Sequence, residues 1–153
     1  MKKQKLEKIL KKSITNNLNL LGFKLHNNPL AHQTTPADFI IHTKSNKVYY
    51  VECKECKRKS DGSIRFDFNR LTQETDLEIL NSFNEIISCY VCISLQEKTF
   101  KKSKYYLIPF SEYKKIKESF IKNSLNEKDM IEYFKEFELL QISNEILNLN
   151  HLS

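Results

Sequence analysis

A chain of 153 residues fits one compact domain with little room for a second, and it is long enough to bury a core without disulfides or a structural metal. Its 40% hydrophobic and 29% charged residues are those of a soluble globular protein, and two glycines and three prolines argue against long flexible linkers. A net charge of +6 and a pI near 9.0 favour a polyanionic partner, since basic side chains gain affinity by displacing counterions from phosphates.

The basic start runs into Leu6, Ile9, Leu10, Ile14, Leu18 and Leu21 at helical steps, which predicts an amphipathic helix capped at Gly22 and no secretory leader. No apolar run is long enough for a membrane span, so the expected address is the cytoplasm, where the four cysteines stay reduced. A short strand is predicted at Phe23 to His26 and a loop from Leu30 to Pro36. Asp38 to Thr43 and Lys47 to Cys53 then read as a hairpin turning at Lys44-Ser45-Asn46. After a polar loop from Lys57 to Ser63 come a strand at Ile64 to Phe68 and a helix from about Arg70 to Phe83. Two further strands are predicted, Ser88 to Leu95 and Tyr105 to Ile108. A helix capped by Ser111 should reach about Lys122, and a last helical region should span about 128 to 149, broken near Ser143. This order gives an α/β domain with a single mixed β-sheet flanked by helices.

The chemistry follows from strand geometry. Side chains two apart on a strand share a face, so Glu52 and Lys54 project together. A hairpin symmetric about Ser45 sets Thr43 against Lys47, Ile40 against Tyr50 and Asp38 against Glu52. Two carboxylates that close repel, and a hard divalent cation offsets the repulsion: Mg²⁺ favours one or two carboxylates plus water and phosphate oxygens. A metal, a lysine and a basic surface together point to phosphodiester hydrolysis. Glu-x-Lys also occurs at Glu55-Cys56-Lys57 and Glu112-Tyr113-Lys114, but neither follows an apolar strand that pairs with an upstream Asp.

Pro36-Ala37-Asp38 followed by Val51-Glu52-Cys53-Lys54 resembles the signature of the PD-(D/E)XK nuclease superfamily, with the Pro one residue further from the Asp than the name implies. Thr34-Thr35, the basic run Lys57-Arg58-Lys59-Ser60 and Gln73 add a resemblance to Holliday-junction resolvases of the RecU type and their archaeal, Hjc-type counterparts. The resemblance implies a restriction-endonuclease-like αβββαβ core over residues 1–110 and a C-terminal helical extension over 111–153, together one nuclease domain. It implies metal ligation by Asp38, Glu52 and the backbone carbonyl of Cys53, with Lys54 as catalytic lysine and Gln73 as a nearby polar helper. It implies Mg²⁺ as cofactor, with Mn²⁺ able to substitute, and branched DNA as partner of a homodimer. Glu7 is the one candidate for an added acidic ligand from the first helix, and it reads as a helix-surface carboxylate beside many lysines before it reads as a ligand.

Thr34 and Thr35 are either phosphate contacts or turn formers. Lys57, Arg58, Lys59, Arg65 and Arg70 flank the site, as DNA-binding residues or as a solvated loop. Tyr49, Tyr50, Phe66 and Phe68 read as core before base-stacking groups. Cys53-x-x-Cys56 and Cys89-x-x-Cys92 have zinc-like spacing, but positions three apart on a strand face opposite ways, so buried thiols are expected and zinc is not. His26, His32, His42 and His151 form no ligand motif. The reading is an endodeoxyribonuclease, a Holliday-junction resolvase first. A restriction or repair nuclease on linear or flapped DNA, or a non-catalytic nucleic-acid-binding module on the same fold, stands as the alternative.

Overall fold

The computed structural model describes residues 5–26 and 35–153. Helix α1 (Lys5–Thr15) is amphipathic and buries Leu6, Ile9, Leu10 and Ile14. It ends earlier than the leucine spacing predicts. A turn at Asn16 and Asn17 stops it, Leu18 is 88% exposed, and Leu20–Lys24 forms strand β1. Gly22 is therefore a mid-strand residue and not a helix cap. A Cβ there would stand 2.6 Å from Ile14 Cγ2, so glycine is what lets β1 approach α1.

The predicted hairpin is β2 (Phe39–Thr43) and β3 (Val48–Lys57), with Asn46 at φ 64° in its turn. The predicted register holds: Phe39 faces Val51, Ile40 faces Tyr50, and Thr43 N–H donates to Lys47 O at 3.0 Å. Strand β4 (Arg65–Asp67) leads through a 3-10 turn at Phe68–Arg70 into α2 (Glu74–Asn81), shorter than the predicted helix. Then come β5 (Ile87–Gln96), β6 (Lys104–Pro109) and α3 (Phe110–Ser119), whose N-cap is Pro109 where Ser111 was expected.

The region predicted as a long last helix is mixed. Strand β7 (Ser124–Asn126) precedes it, and it holds most of α4 (Glu127–Tyr133) and a small hairpin of β8 (Gln141–Ser143) and β9 (Ile146–Leu147). Asn126 and Asp129 form a reciprocal capping box at the start of α4, through bonds of 2.8 and 3.1 Å.

The principal sheet is mixed, in the order β1-β2-β3-β5-β6, with β3 and β5 parallel and the other neighbours antiparallel. Antiparallel pairs β4–β7 and β8–β9 lie outside it. Joining the parallel pair needs a crossover, and β4 and α2 provide it. One face of the sheet packs α1 and the C-terminal leucines Leu139, Leu147, Leu149 and Leu152. The other packs Leu77 of α2, Phe110 and Tyr113 of α3, and Met130 and Phe134 from the α4 region. Among the described residues no helix is long and apolar enough to cross a membrane.

Candidate active site

Strand β2 stops at Phe39, opposite Val51, while β3 continues from Glu52 to Lys57, paired on its other flank with β5. Among the described residues one edge of β3 is thus left without a strand neighbour, and side chains line the gap. Asp38 stands at its mouth and is fixed at three atoms. Its N–H donates to Val51 O at 3.0 Å, its carbonyl accepts from Leu25 N–H at 2.7 Å, and Oδ2 accepts from Cys53 N–H at 2.8 Å. Further along, Arg70 Nη2 donates to Glu55 O at 2.7 Å. Strand backbone groups alternate, so the Cys53 carbonyl points to this same edge, between the two side chains.

Glu52 shares a sheet face with Tyr50, Lys54 and Cys56, opposite to that of α1. It is 3% exposed, and Lys54 Nζ lies 3.3 Å from Oε1. Burial first, and the neighbouring Asp38 charge second, push the Glu52 carboxyl up from 4.5 to about 8, against the opposing pull of Lys54. The two carboxyl groups adjoin closely enough for a hydrogen bond when Glu52 is protonated. The structure therefore brings Asp38, Glu52, Lys54 and the Cys53 carbonyl edge into one place.

That donor set suits a hard cation. Among the described residues no cluster of three or more His, Cys, Asp or Glu side chains gathers anywhere, and two carboxylates with a carbonyl leave positions for water and phosphate oxygens, as Mg²⁺ prefers. Glu7 does not join them: it is ion-paired with Lys24, whose ammonium also lies over the Phe39 ring. Each CxxC pair is split by the sheet. Cys53 and Cys92, aligned on β3 and β5, lie in the α1-side core, and Cys56 and Cys89 in the other. No pair sets its two sulfurs toward a common ligand.

Gln73 is the N-cap residue of α2, and its Oε1 is buried with no hydrogen-bond partner. Thr35 is among the described residues, and Thr34 and His32 lie outside them. Phe66 and Phe68 are core, as expected, and Tyr49 packs edge-on against Tyr90.

The basic residues divide by their partners. Arg58 binds Glu97, Glu127 and the Gly62 carbonyl, tying the loop after β3 to the loop after β5 and to α4. Arg65 pairs with Asp67. Lys57, Lys59 and Arg70 line the same groove, of about 500 Å³, alongside the end of β3. Sequence reasoning missed both the Arg58 clamp and the bond from Leu6 N–H to Glu55 Oε1 at 2.6 Å, which anchors the start of α1 to β3. The carboxylate partners of Arg58 are 39 and 69 residues away and Glu55 is 49 from Leu6, so no local pattern signals them.

No family model and no curated protein matches the chain. Among solved structures it is similar to that of Archaeoglobus fulgidus Hjc, a Holliday junction resolvase from an archaeal hyperthermophile. The TM-score is 0.46 and the identity 11%, over 86% of this chain and 97% of that one.

Proposed function

We propose that this chain is a metal-dependent endodeoxyribonuclease that hydrolyses phosphodiester bonds. The observation that carries the reading is the meeting of Asp38 and Glu52, distant in sequence, beside the Lys54 ammonium at the end of β3 that β2 leaves uncovered. A buried carboxyl beside a second carboxylate is costly unless something compensates it, and Lys54 alone leaves Glu52 holding a proton up to about pH 8. Asp38, Glu52 and the Cys53 carbonyl would hold Mg²⁺, with Mn²⁺ as substitute. When bound, such an ion supplies Lewis acidity to a phosphoryl oxygen and lowers the pKa of water.

The chain's own groups do the rest. Cys53 N–H fixes the Asp38 carboxylate, and burial holds Glu52 in one orientation. Lys54 orients the attacking water and places positive charge where the phosphorane oxygens gain negative charge. Gln73 would present its amide to the same water.

A branched DNA substrate, and a two-fold dimer supplying one active site per strand, follow from the sequence resemblance and complete the resolvase reading. A DNA substrate is in keeping with a cytoplasmic address. The experiment is a cleavage assay on a four-way junction and a matched linear duplex, with Mg²⁺ or a chelator, for the wild type, Glu52→Gln and Lys54→Met. Mg²⁺-dependent cutting that falls by about 10²-fold or more in both variants is expected. Equal cutting of junction and linear duplex would remove the resolvase assignment and favour the restriction or repair reading. DNA binding without any cutting by the wild type would leave a non-catalytic binding module.

A further inference from the structure

Arg70 differs from the other arginines at the end of β3. Arg58 and Arg65 are neutralised by carboxylates, whereas Arg70 has no ion-pair partner among the described residues. Its guanidinium is held all the same. Nη2 donates to Glu55 O at 2.7 Å, Nη1 lies 3.8 Å from Cys56 Sγ, and the cation sits over the Phe66 ring, 5.7 Å from its centroid. A guanidinium has five N–H donors, so this mooring leaves most of them, and the whole charge, for a partner from solvent. The residue is exposed and lines the groove that Lys57 and Lys59 share.

Position narrows the partner. Glu55 follows Cys53 by two residues on the same strand edge, a rise of roughly 7 Å from the carbonyl between Asp38 and Arg70. Successive phosphates of a DNA strand advance by roughly 3.4 Å along the helix axis. A strand whose scissile phosphate sits at Asp38 and Glu52 would thus bring a phosphate one or two steps away to the free side of Arg70. We infer that Arg70 is a fixed phosphate clamp for the substrate strand, made rigid by the unpaired edge of β3. The inference rests on the nuclease reading, because that reading places the scissile phosphate.

The test uses the full chain in a Glu52→Gln background, so that binding is read without cutting, on duplex and junction oligonucleotides across a salt series. Arg70→Ala should weaken binding about tenfold or more and reduce the slope of log K against log salt by about one. Arg70→Lys should keep the slope, since the charge remains. Circular dichroism and melting of each variant separate this from a loss of folding, and the salt slope is a quantity that a purely structural role would not move. Replacing single phosphates by neutral methylphosphonates should reveal one position, one or two steps from the cut, where the neutral linkage weakens Arg70 protein but adds nothing to Arg70→Ala. An unchanged slope, or additive losses at every phosphate, would overturn the clamp. If the protein with Glu52 intact binds DNA with an Arg70-dependent slope and never cuts, the nuclease reading fails while the clamp stands; cutting with an Arg70-independent slope is the reverse.

Discussion

Burial and the adjoining Asp38 charge load the Glu52 carboxyl, and its pH dependence has a definite sign. Its folded-state value of about 8 lies above the ordinary 4.5, so between those values the native protein holds a proton that the unfolded chain has released. Stability therefore declines as pH rises through this window, and the full penalty stands above it. Below the ordinary value both states are protonated and the penalty vanishes. Without metal, Glu52→Gln should melt above the wild type at about pH 9 and together with it at about pH 4. Under the proposed metal site, which needs both carboxylates, adding Mg²⁺ at the higher pH should raise the melting temperature of the wild type and leave Glu52→Gln unmoved. A wild type that melts with the variant at both pH values would show that the carboxyl is not strained by burial.

The elements show what was legible and what was not. The β2–β3 register was readable because a short polar turn between two apolar strands permits few pairings, and one pairing fixes every residue facing another. The helix end was misread because Leu18 and Leu21 continue a helical period that Asn16 and Asn17 cut short, leaving both leucines exposed. Residues 128 to 149 misled in the same way. The stretch is rich in Leu and Ile and reads as helical, but Leu139, Leu147 and Leu149 are buried from turns and a small hairpin, whose Glu145 takes φ 60°. Of the candidate site, Asp38, Glu52 and Lys54 followed from local strand geometry, whereas the partners of Arg58, Arg70 and Glu7 are set by tertiary contacts that no spacing records. Close approach of α1 and β1 gives a further test. Gly22→Ala should cost about 1–3 kcal/mol by overpacking against Ile14. In an Ile14→Ala background the same substitution should cost much less, a non-additivity that denaturant unfolding of the four proteins of the cycle would measure.

At the scale of the molecule, β3 and β5 form the sheet's centre, each with a long parallel partner and a packed layer on both faces. Their amides, from about Val51 to Cys53 and from Cys89 to Ile93, should be the slowest to exchange with deuterium, and those of the β8–β9 hairpin among the fastest. Equal protection of the hairpin and the central strands would contradict this layering. The same division makes the four sulfurs a pair of internal clocks. Each thiol is sealed from solvent, and burial pushes Cys56 up to about 11, Cys89 to about 12 and Cys53 well above its usual range. Little reactive thiolate is presented to an alkylating reagent until a layer lifts away. Modification of Cys53 and Cys92 thus times the departure of α1, and modification of Cys56 and Cys89 times that of the opposite helices, so mass spectrometry of partly alkylated protein can tell whether the two coats are shed together or in turn.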